Sequence, residues 1–370
     1  MDRPDTGTSF FYGTEIELAP LADYAIQSNI GEGAHGVVLS AIHTTTNRKV
    51  AIKKVPFKQN QPSVTREVQA LQECRGQYVV ELLSYFTIPF WLTMIFECCL
   101  GDLSDIIATH GPLPPSHTKS YSVMMLQGLN HIHSLGWMHR DIKPSNMLIT
   151  NDGSIRIADF GLARKVHAVT TDLVDGAESR LVDQVRPYSN QVASRWYRAP
   201  ELLYGSHHYD SRVDIWAAGC IIAELIQGNP LFPGRSDIEQ LALVHSALGT
   251  PTTTTWPELA TLPDYGKLEF TTVPGVKMEH LVPKASIDAV KLLEGLITYS
   301  GRLRKTAQQA LQYEYFANPP EPIPLHQLHL PSKKKPLDGE SGPNGPVDIR
   351  RSNLDLRVIG VPMKLCQRNQ

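Results

Sequence analysis

An α+β chain with a strand-rich first lobe and a helix-rich second lobe is the fold class that these 370 residues predict, on three observations. Between residues 24 and 99, short apolar runs alternate with polar residues at a period of two and are punctuated by glycine, as strands joined by turns would be. Beyond Leu100 the apolar residues recur at threes and fours, the period of helices packed on one face. A composition of 42% hydrophobic and 19% charged residues is ordinary for a globular protein, and the length suffices for two compact units.

Residues 1–23 read as a loose extension. Its opening, "MDRPDTGTSFFYG", has no basic start followed by an apolar run, so a soluble, non-secreted chain is expected. "YAIQSNIGEGAHGVVLSAI" reads as two strands around a glycine turn, and "NRKVAIKKV", "YVVELLSYF" and "WLTMIFE" as further strands. Among them "QPSVTREVQALQE" has helical spacing at Val64, Val68 and Leu71. In the second half "SHTKSYSVMMLQGLNHIHSLG" reads as an amphipathic helix, and "DIWAAGCIIAELIQG", apolar almost all round, as one buried in a core. From Asn318 onward proline, glycine, lysine and aspartate dominate without a period, so residues 319–370 are expected to be an extended or disordered tail.

A net charge of −2 and a pI near 6.7 give no electrostatic footprint for nucleic acid or for an anionic membrane, and no window approaches a membrane-spanning length; neither partner is expected. The five cysteines (Cys74, Cys98, Cys99, Cys220, Cys366) lack metal-ligand spacing, and their odd number argues against a disulfide framework. His131 and His133, two apart on a helix, point to different faces and read as packed or surface residues.

Chemistry gathers in four places. Gly31, Gly33 and Gly36 form G-x-G-x-x-G, a spacing that lets backbone N–H groups approach phosphates without a Cβ in the way. The pattern alone reads equally as a hairpin turn. Because "VVLSAI" follows as a strand and not as a helix, a dinucleotide fingerprint is disfavoured. Lys53 in "VAIKK" lies inside a strand and would be solvated by default, but Glu67 on the helix offers a carboxylate to hold a lysine that reaches for phosphates. In "GWMHRDIKPSNMLI" His139, Arg140, Asp141, Lys143 and Asn146 stand together between two apolar runs. Asp141 can accept the proton of an attacking hydroxyl, Lys143 can offset charge on a transferring phosphoryl group, and Asn146 can offer a neutral oxygen to magnesium. In "DFG" Asp159 supplies the anionic magnesium ligand, and Arg140 could clamp a phosphate on the chain's own loop.

In order and spacing, "IGEGAHGVV", "VAIKK", Glu67, "HRDIKPSN", "DFG" and "APE" (Ala199 to Glu201) resemble the signature set of the protein kinases over residues 24 to 318. The resemblance implies a bilobal protein-kinase fold, with an N-lobe at 24–99, a C-lobe at 100–318 and a long activation segment at 159–201. It implies ATP and Mg2+ as cofactors. Ile30, Glu32, Ala34, His35, Val37, Val38 and Ala51 would join the three glycines and Lys53 around the nucleotide, with Phe96 behind the adenine and Glu97 and Cys99 offering backbone bonds to it. Asp141, Lys143, Lys53 and Glu67 would be the catalytic set, braced by the Ser194 hydroxyl.

"RWYRAPELLYG" and the stretch from "PLFPGRSDIEQL" to "LGTPTTTTWPELATLPDYGKLEF" narrow the resemblance to the group of cyclin-dependent and mitogen-activated kinases. The combination of "GEGAHG", "QYVVELL", "FPGRSDIEQL" and "WPELATLPDY" is similar to its cell-cycle-related branch. That implies a Ser/Thr kinase that prefers proline after its target, through a pocket shaped by Arg198. It further implies activation of other kinases in cell-cycle or ciliary control, in cytoplasm, nucleus or cilium. Ser189 would take the place of an activating phosphothreonine gathered by Arg66, Arg140 and Arg164.

Three departures qualify this. "PSVTRE" is one residue shorter than a cyclin-contacting helix start, which counts against cyclin binding through that helix and leaves a cyclin, a noncyclin activator or none. Ala34 and His35 carry no hydroxyl for inhibitory phosphorylation. An insert lies between Val166 and Pro187, and loops of that length are functional or disordered. Two rivals follow: a pseudokinase scaffold, whose signature would be a missing Lys, Asp or Asn, and a mitogen-activated type, disfavoured because "PYSNQV" holds no Thr-x-Tyr. Asp214 reads as an N-cap or a brace for the catalytic-loop backbone, and Glu201 with Arg304 as a buried structural ion pair. Lys333 to Lys335 reads as solvated tail.

Overall fold

The computed structural model describes residues 21–33, 36–56, 62–88, 91–166 and 195–331. Ala34, His35, Ser189, Ser194, the insert, most of the N-terminal extension and the lysine run therefore lie outside the described residues. The chain divides into two compact units, the first comprising residues up to Thr65 with Glu81–Cys98, the second Arg66–Val80 with Cys99 onward.

The first unit is a five-stranded antiparallel sheet of β1 (Tyr24–Gly33), β2 (Gly36–His43), β3 (Lys49–Pro56), β4 (Leu82–Ile88) and β5 (Trp91–Glu97), in the order β1-β2-β3-β5-β4. Alternation along the strands sorts its two faces. Ala41, Val50, Ile52, Phe86 and Ile95 form a buried cluster, with Leu21, Tyr24, Leu39 and Leu83 packed on it. The intervening residues, Val38, Ala51, Lys53, Met94 and Phe96, fall on the other face, because Val38 pairs with Lys53, Lys53 with Met94 and Ala51 with Phe96. The strand expected from Tyr78 starts only at Leu82; Val79 instead makes an isolated bridge to Ile157 in the second unit.

Helix α1 (Pro62–Glu73) crosses the division of the chain between the units, and its Val68 and Leu71 are buried as the spacing predicts. Beyond the first unit come β6 (Gly101–Asp102), α2 (Leu103–His110), α3 (Pro115–Ser134), β7 (Trp137–Met138), β8 (Met147–Ile149), β9 (Ile155–Ile157) and β10 (Arg164–Lys165). The large helical part adds α4 (Pro200–Leu203), α5 (Arg212–Gln227), α6 (Asp237–Leu248), α7 (Met278–Leu281), α8 (Ile287–Leu296), α9 (Ala307–Ala310) and α10 (Glu314–Ala317). Helix α5 is buried from Val213 to Ile226, as an all-round apolar helix must be, and Gly228 ends it at φ +83°, where a side chain would be strained. The expected Glu201–Arg304 pair is present as a two-pronged bond of 2.6 and 2.7 Å, with Arg304 only 2% exposed.

Residues 319–331 depart from the expectation of a loose tail. Although they lack a period, α3 holds them: Lys119 Nζ donates to the Asn318 carbonyl at 2.5 Å, Ser120 Oγ to Ile323 at 2.9 Å, and Tyr121 OH to His329 at 2.5 Å. Leu328 and Pro331 are buried. The packed part of the second unit thus extends past residue 318 to Pro331.

Candidate active site

The catalytic loop sits between β7 and β8, and the second unit fixes its backbone from below. Asp214, on the first turn of α5, accepts from His139 N at 2.8 Å and Arg140 N at 2.7 Å, and its Oδ2 also meets His133 Nε2 at 2.9 Å. Its role is the backbone brace and not the N-cap, a position held by Ser211. Burial alone would push the Asp214 carboxyl up, but the His133 bond and charge, together with His139, outweigh it and hold the group below the usual carboxylate range. This anchorage holds Arg140 at φ +69°, a left-handed conformation that costs a non-glycine residue on the order of 1 kcal/mol.

His139 is fully buried, with Nε2 at 2.9 Å from the Ala158 carbonyl and Nδ1 accepting the Asp141 N–H at 3.3 Å. These contacts require the tautomer protonated on Nε2. Its ring stands edge-on to Phe160 of "DFG", which is completely buried. Asp141, 9% exposed, receives Lys143 Nζ at 2.7 Å and Asn146 Nδ2 at 3.1 Å on the same oxygen, Oδ2. Asn146 Nδ2 also donates to the Asp141 carbonyl at 2.7 Å. The sequence thus brings Asp141, Lys143 and Asn146 into one interlocked cluster.

Asp159 lies at φ +64° at the head of the "DFG" turn. A Cβ built on Gly161 would lie 3.5 Å from both an Asp159 oxygen and Glu67 Oε2, so the two carboxylates flank the same glycine. Glu67 is 5% exposed on α1. Asn146 spends its amide nitrogen on Asp141, which leaves its Oδ1 as an acceptor. With the Asp159 carboxylate this is a hard oxygen set of the kind magnesium takes, so the residues present fit that ion.

Of the nucleotide residues, Val38, Ala51, Lys53 and Phe96 share one face of the sheet. Val37 pairs with Lys54 and by alternation belongs to the Leu39 face, so of the two expected valines only Val38 stands with Lys53. Ile30 is 48% exposed, next to an irregularity in the β1–β2 register. Gly33 pairs with Gly36 and Glu32 with Val37 at the hairpin end. Gly36 has φ +110°, and a Cβ there would stand 1.9 Å from the Lys54 carbonyl oxygen, so the fold itself demands this glycine. Gly31 differs: a Cβ would meet only Val38, at 3.7 Å, so packing does not demand this glycine. Met94, beside Lys53 and 0% exposed, shares this face without any motif of its own, two residues before Phe96 on β5.

Of the three arginines, Arg140 is engaged by the Leu162 carbonyl (Nε, 2.7 Å) and the Tyr209 hydroxyl (Nη1, 2.7 Å). No short motif signals Tyr209. Arg164 pairs in β10 with Met138, and Arg66 lies on α1. Farther along the chain, Arg195 and Arg198 both meet Asp237 Oδ1, at 2.5 and 3.5 Å. Trp196 Nε1 donates to the Gly234 carbonyl at 3.0 Å, and Tyr197 OH to buried Glu224 at 2.7 Å. Burial pushes the Glu224 carboxyl up to about 7, against the opposing pull of that hydroxyl. Segment 195–198 is therefore fixed from several sides.

Comparison with known proteins agrees with this geometry. A protein kinase domain model matches residues 24–316. The chain is 45% identical to cyclin-dependent kinase 20 of Danio rerio over 83% of its length and 87% of that protein, and 42% identical to the Homo sapiens protein of the same name over 83% and 86%. It is 40% identical to cyclin-dependent kinase D-1 of Oryza sativa subsp. japonica over 95% of its length and 80% of that protein. The chain belongs to the protein kinases, as a cyclin-dependent-kinase-like Ser/Thr protein kinase of a family that uses ATP and Mg2+.

Proposed function

We propose that this kinase transfers the γ-phosphoryl group of ATP to Ser or Thr hydroxyls followed by proline, on protein substrates that include other kinases. The observation that carries the reading is the interlocked cluster of Asp141, Lys143 and Asn146 on a loop whose backbone Asp214 braces. With Oδ2 of Asp141 taken by two donors, Oδ1 is the oxygen that orients the substrate hydroxyl and receives its proton. Lys143, already beside that carboxylate, offsets charge on the group in transit, and Lys53 holds phosphates. Asn146 and Asp159 would hold the magnesium, whose charge lowers the cost of bringing phosphates together. Positioning and charge, not covalent chemistry, supply the rate.

Arg198, fixed by Asp237 beside Trp196 and Tyr197, shapes the site for the residue that follows the target. A phosphate on Ser189 would draw on Arg66, Arg140 and Arg164; for Arg140 it competes with Tyr209. The activator, where one is needed, is a cyclin or a noncyclin protein, and the setting is cell-cycle or ciliary control. The test is transfer from labelled ATP with magnesium to a library of Ser and Thr peptides varied at the next position. Selection of proline there supports the reading; equal labelling whatever residue follows rejects it.

A further inference from the structure

We propose that residues 318–331 form a strap that positions the segment running from Cys99 into α2, and thereby sets the affinity for ATP. Three consecutive residues of α3 anchor the strap by its backbone. Lys119, Ser120 and Tyr121 are 2%, 5% and 0% exposed, and each aims its polar atom at a different strap carbonyl. Buried polar groups of this kind are costly without partners, so α3 is built to carry the strap. Farther along, a Cβ on Gly153, already at φ +87°, would come within 2.8 Å of the Leu325 carbonyl oxygen, which shows how closely the strap passes.

The strap arrives at Gly101. A Cβ there would fall 2.7 Å from Pro331 Cβ and 2.7 Å from Asp105 Oδ2, so the absence of a side chain at 101 is what lets Pro331 seat. Gly101 is held on its other sides as well. It pairs with Ile149 in the β6–β8 ladder, Leu100 N donates to the Ile149 carbonyl at 2.8 Å, and the next residue, Asp102, forms a capping box with Asp105. Pro331 closes this enclosure two residues after Cys99. A shift of a few tenths of an ångström at Gly101 passes along the chain to the Cys99 backbone, where hydrogen bonds to a base depend on geometry. The proposal rests on the reading that Cys99 binds the adenine.

The experiment measures KM for ATP, KM for peptide and kcat on the full chain carrying Gly101→Ala, Pro331→Gly or both, after a thermal melt confirms folding. Each single variant should raise KM for ATP about three- to tenfold, the scale of one weakened hydrogen bond, with kcat and peptide KM unchanged. The double variant should recover part of the loss, since Pro331→Gly removes the atoms that the methyl group introduced at position 101 would strike. A structural role alone would lower the melting temperature without this selective change or this rescue. An unchanged KM for ATP in both singles, or strictly additive losses, overturns the strap proposal. If the wild-type chain itself shows no saturable ATP dependence, the nucleotide reading fails instead.

Discussion

The catalytic loop (139–146) and the strap (318–331) both lack periodicity, and both are held by buried polar groups, yet the hydrogen bonds run in opposite senses. In the loop, the side chains of the stretch itself do the binding: Lys143 and Asn146 close on Asp141, and His139 reaches Ala158. In the strap, what α3 engages is backbone carbonyls, and the side chains that engage them lie some 200 positions earlier in the chain. A stretch that binds through its own side chains restricts its residue types and leaves a motif. One bound through its backbone leaves none, because every residue has a carbonyl.

That contrast is broken most severely at Asp214, which serves the loop as α3 serves the strap. Asp214→Asn keeps the volume but replaces one acceptor oxygen with a donor that faces a backbone N–H. The loop should then shift, lowering kcat by about 100-fold, the cost of roughly 1 Å of misplacement, and stability by about 2–3 kcal/mol. Steady-state kinetics combined with urea unfolding would read both. Wild-type kcat would mean that the loop holds its shape unaided.

A smaller effect is expected at Ser120→Ala, which removes the hydroxyl shared between the Ile323 and Ser116 carbonyls. Stability should fall by about 1 kcal/mol while kcat stays close to wild type, and amide exchange should rise along 318–331. A large fall in kcat with intact ATP affinity would tie the strap to the chemistry itself and blur the distinction.

The smallest expected change is with pH. The ring of His329 in the strap stacks on His110, at the end of α2, at 4.0 Å between centroids, and on His117, at the start of α3, at 4.3 Å. Burial, and then the charge of the neighbouring imidazoles, holds His117 and His329 below the ordinary 6.5. The folded strap therefore prefers both rings neutral. Its stability is complete above pH 6.5, begins to fall as pH drops below that value, and is lost through the lowered values. Protection factors of strap amides, taken relative to intrinsic exchange at each pH, should fall as pH drops from about 7.5 to about 5.5, and His329→Leu should flatten that response; an unchanged response would exclude the stack as its source.

The cluster of Asp141, Lys143 and Asn146 and the strand faces were legible because side-chain chemistry and alternation expose them: "HRDIKPSN" gathers its polar residues within one loop, and period two separates Val38 from Val37 once the register is known. Tyr209 and the strap were not. Arg140 finds Tyr209 across 69 positions, and nothing in "SHHYDS" marks a hydroxyl aimed at a guanidinium. Gly36 and Gly101 show the same limit, since one sits in a recognisable glycine pattern and the other does not, yet each is required by a close approach visible only in three dimensions.

The most direct test of the central claim, that Asp141 acts as the proton acceptor within its caged cluster, is kcat of Asp141→Asn on a Ser-Pro peptide with ATP affinity measured alongside. The account predicts a fall in kcat of about 10²- to 10⁴-fold with ATP binding close to wild type. A variant that retains kcat within a few-fold of wild type would contradict it, and the transfer chemistry would have to be assigned to another group.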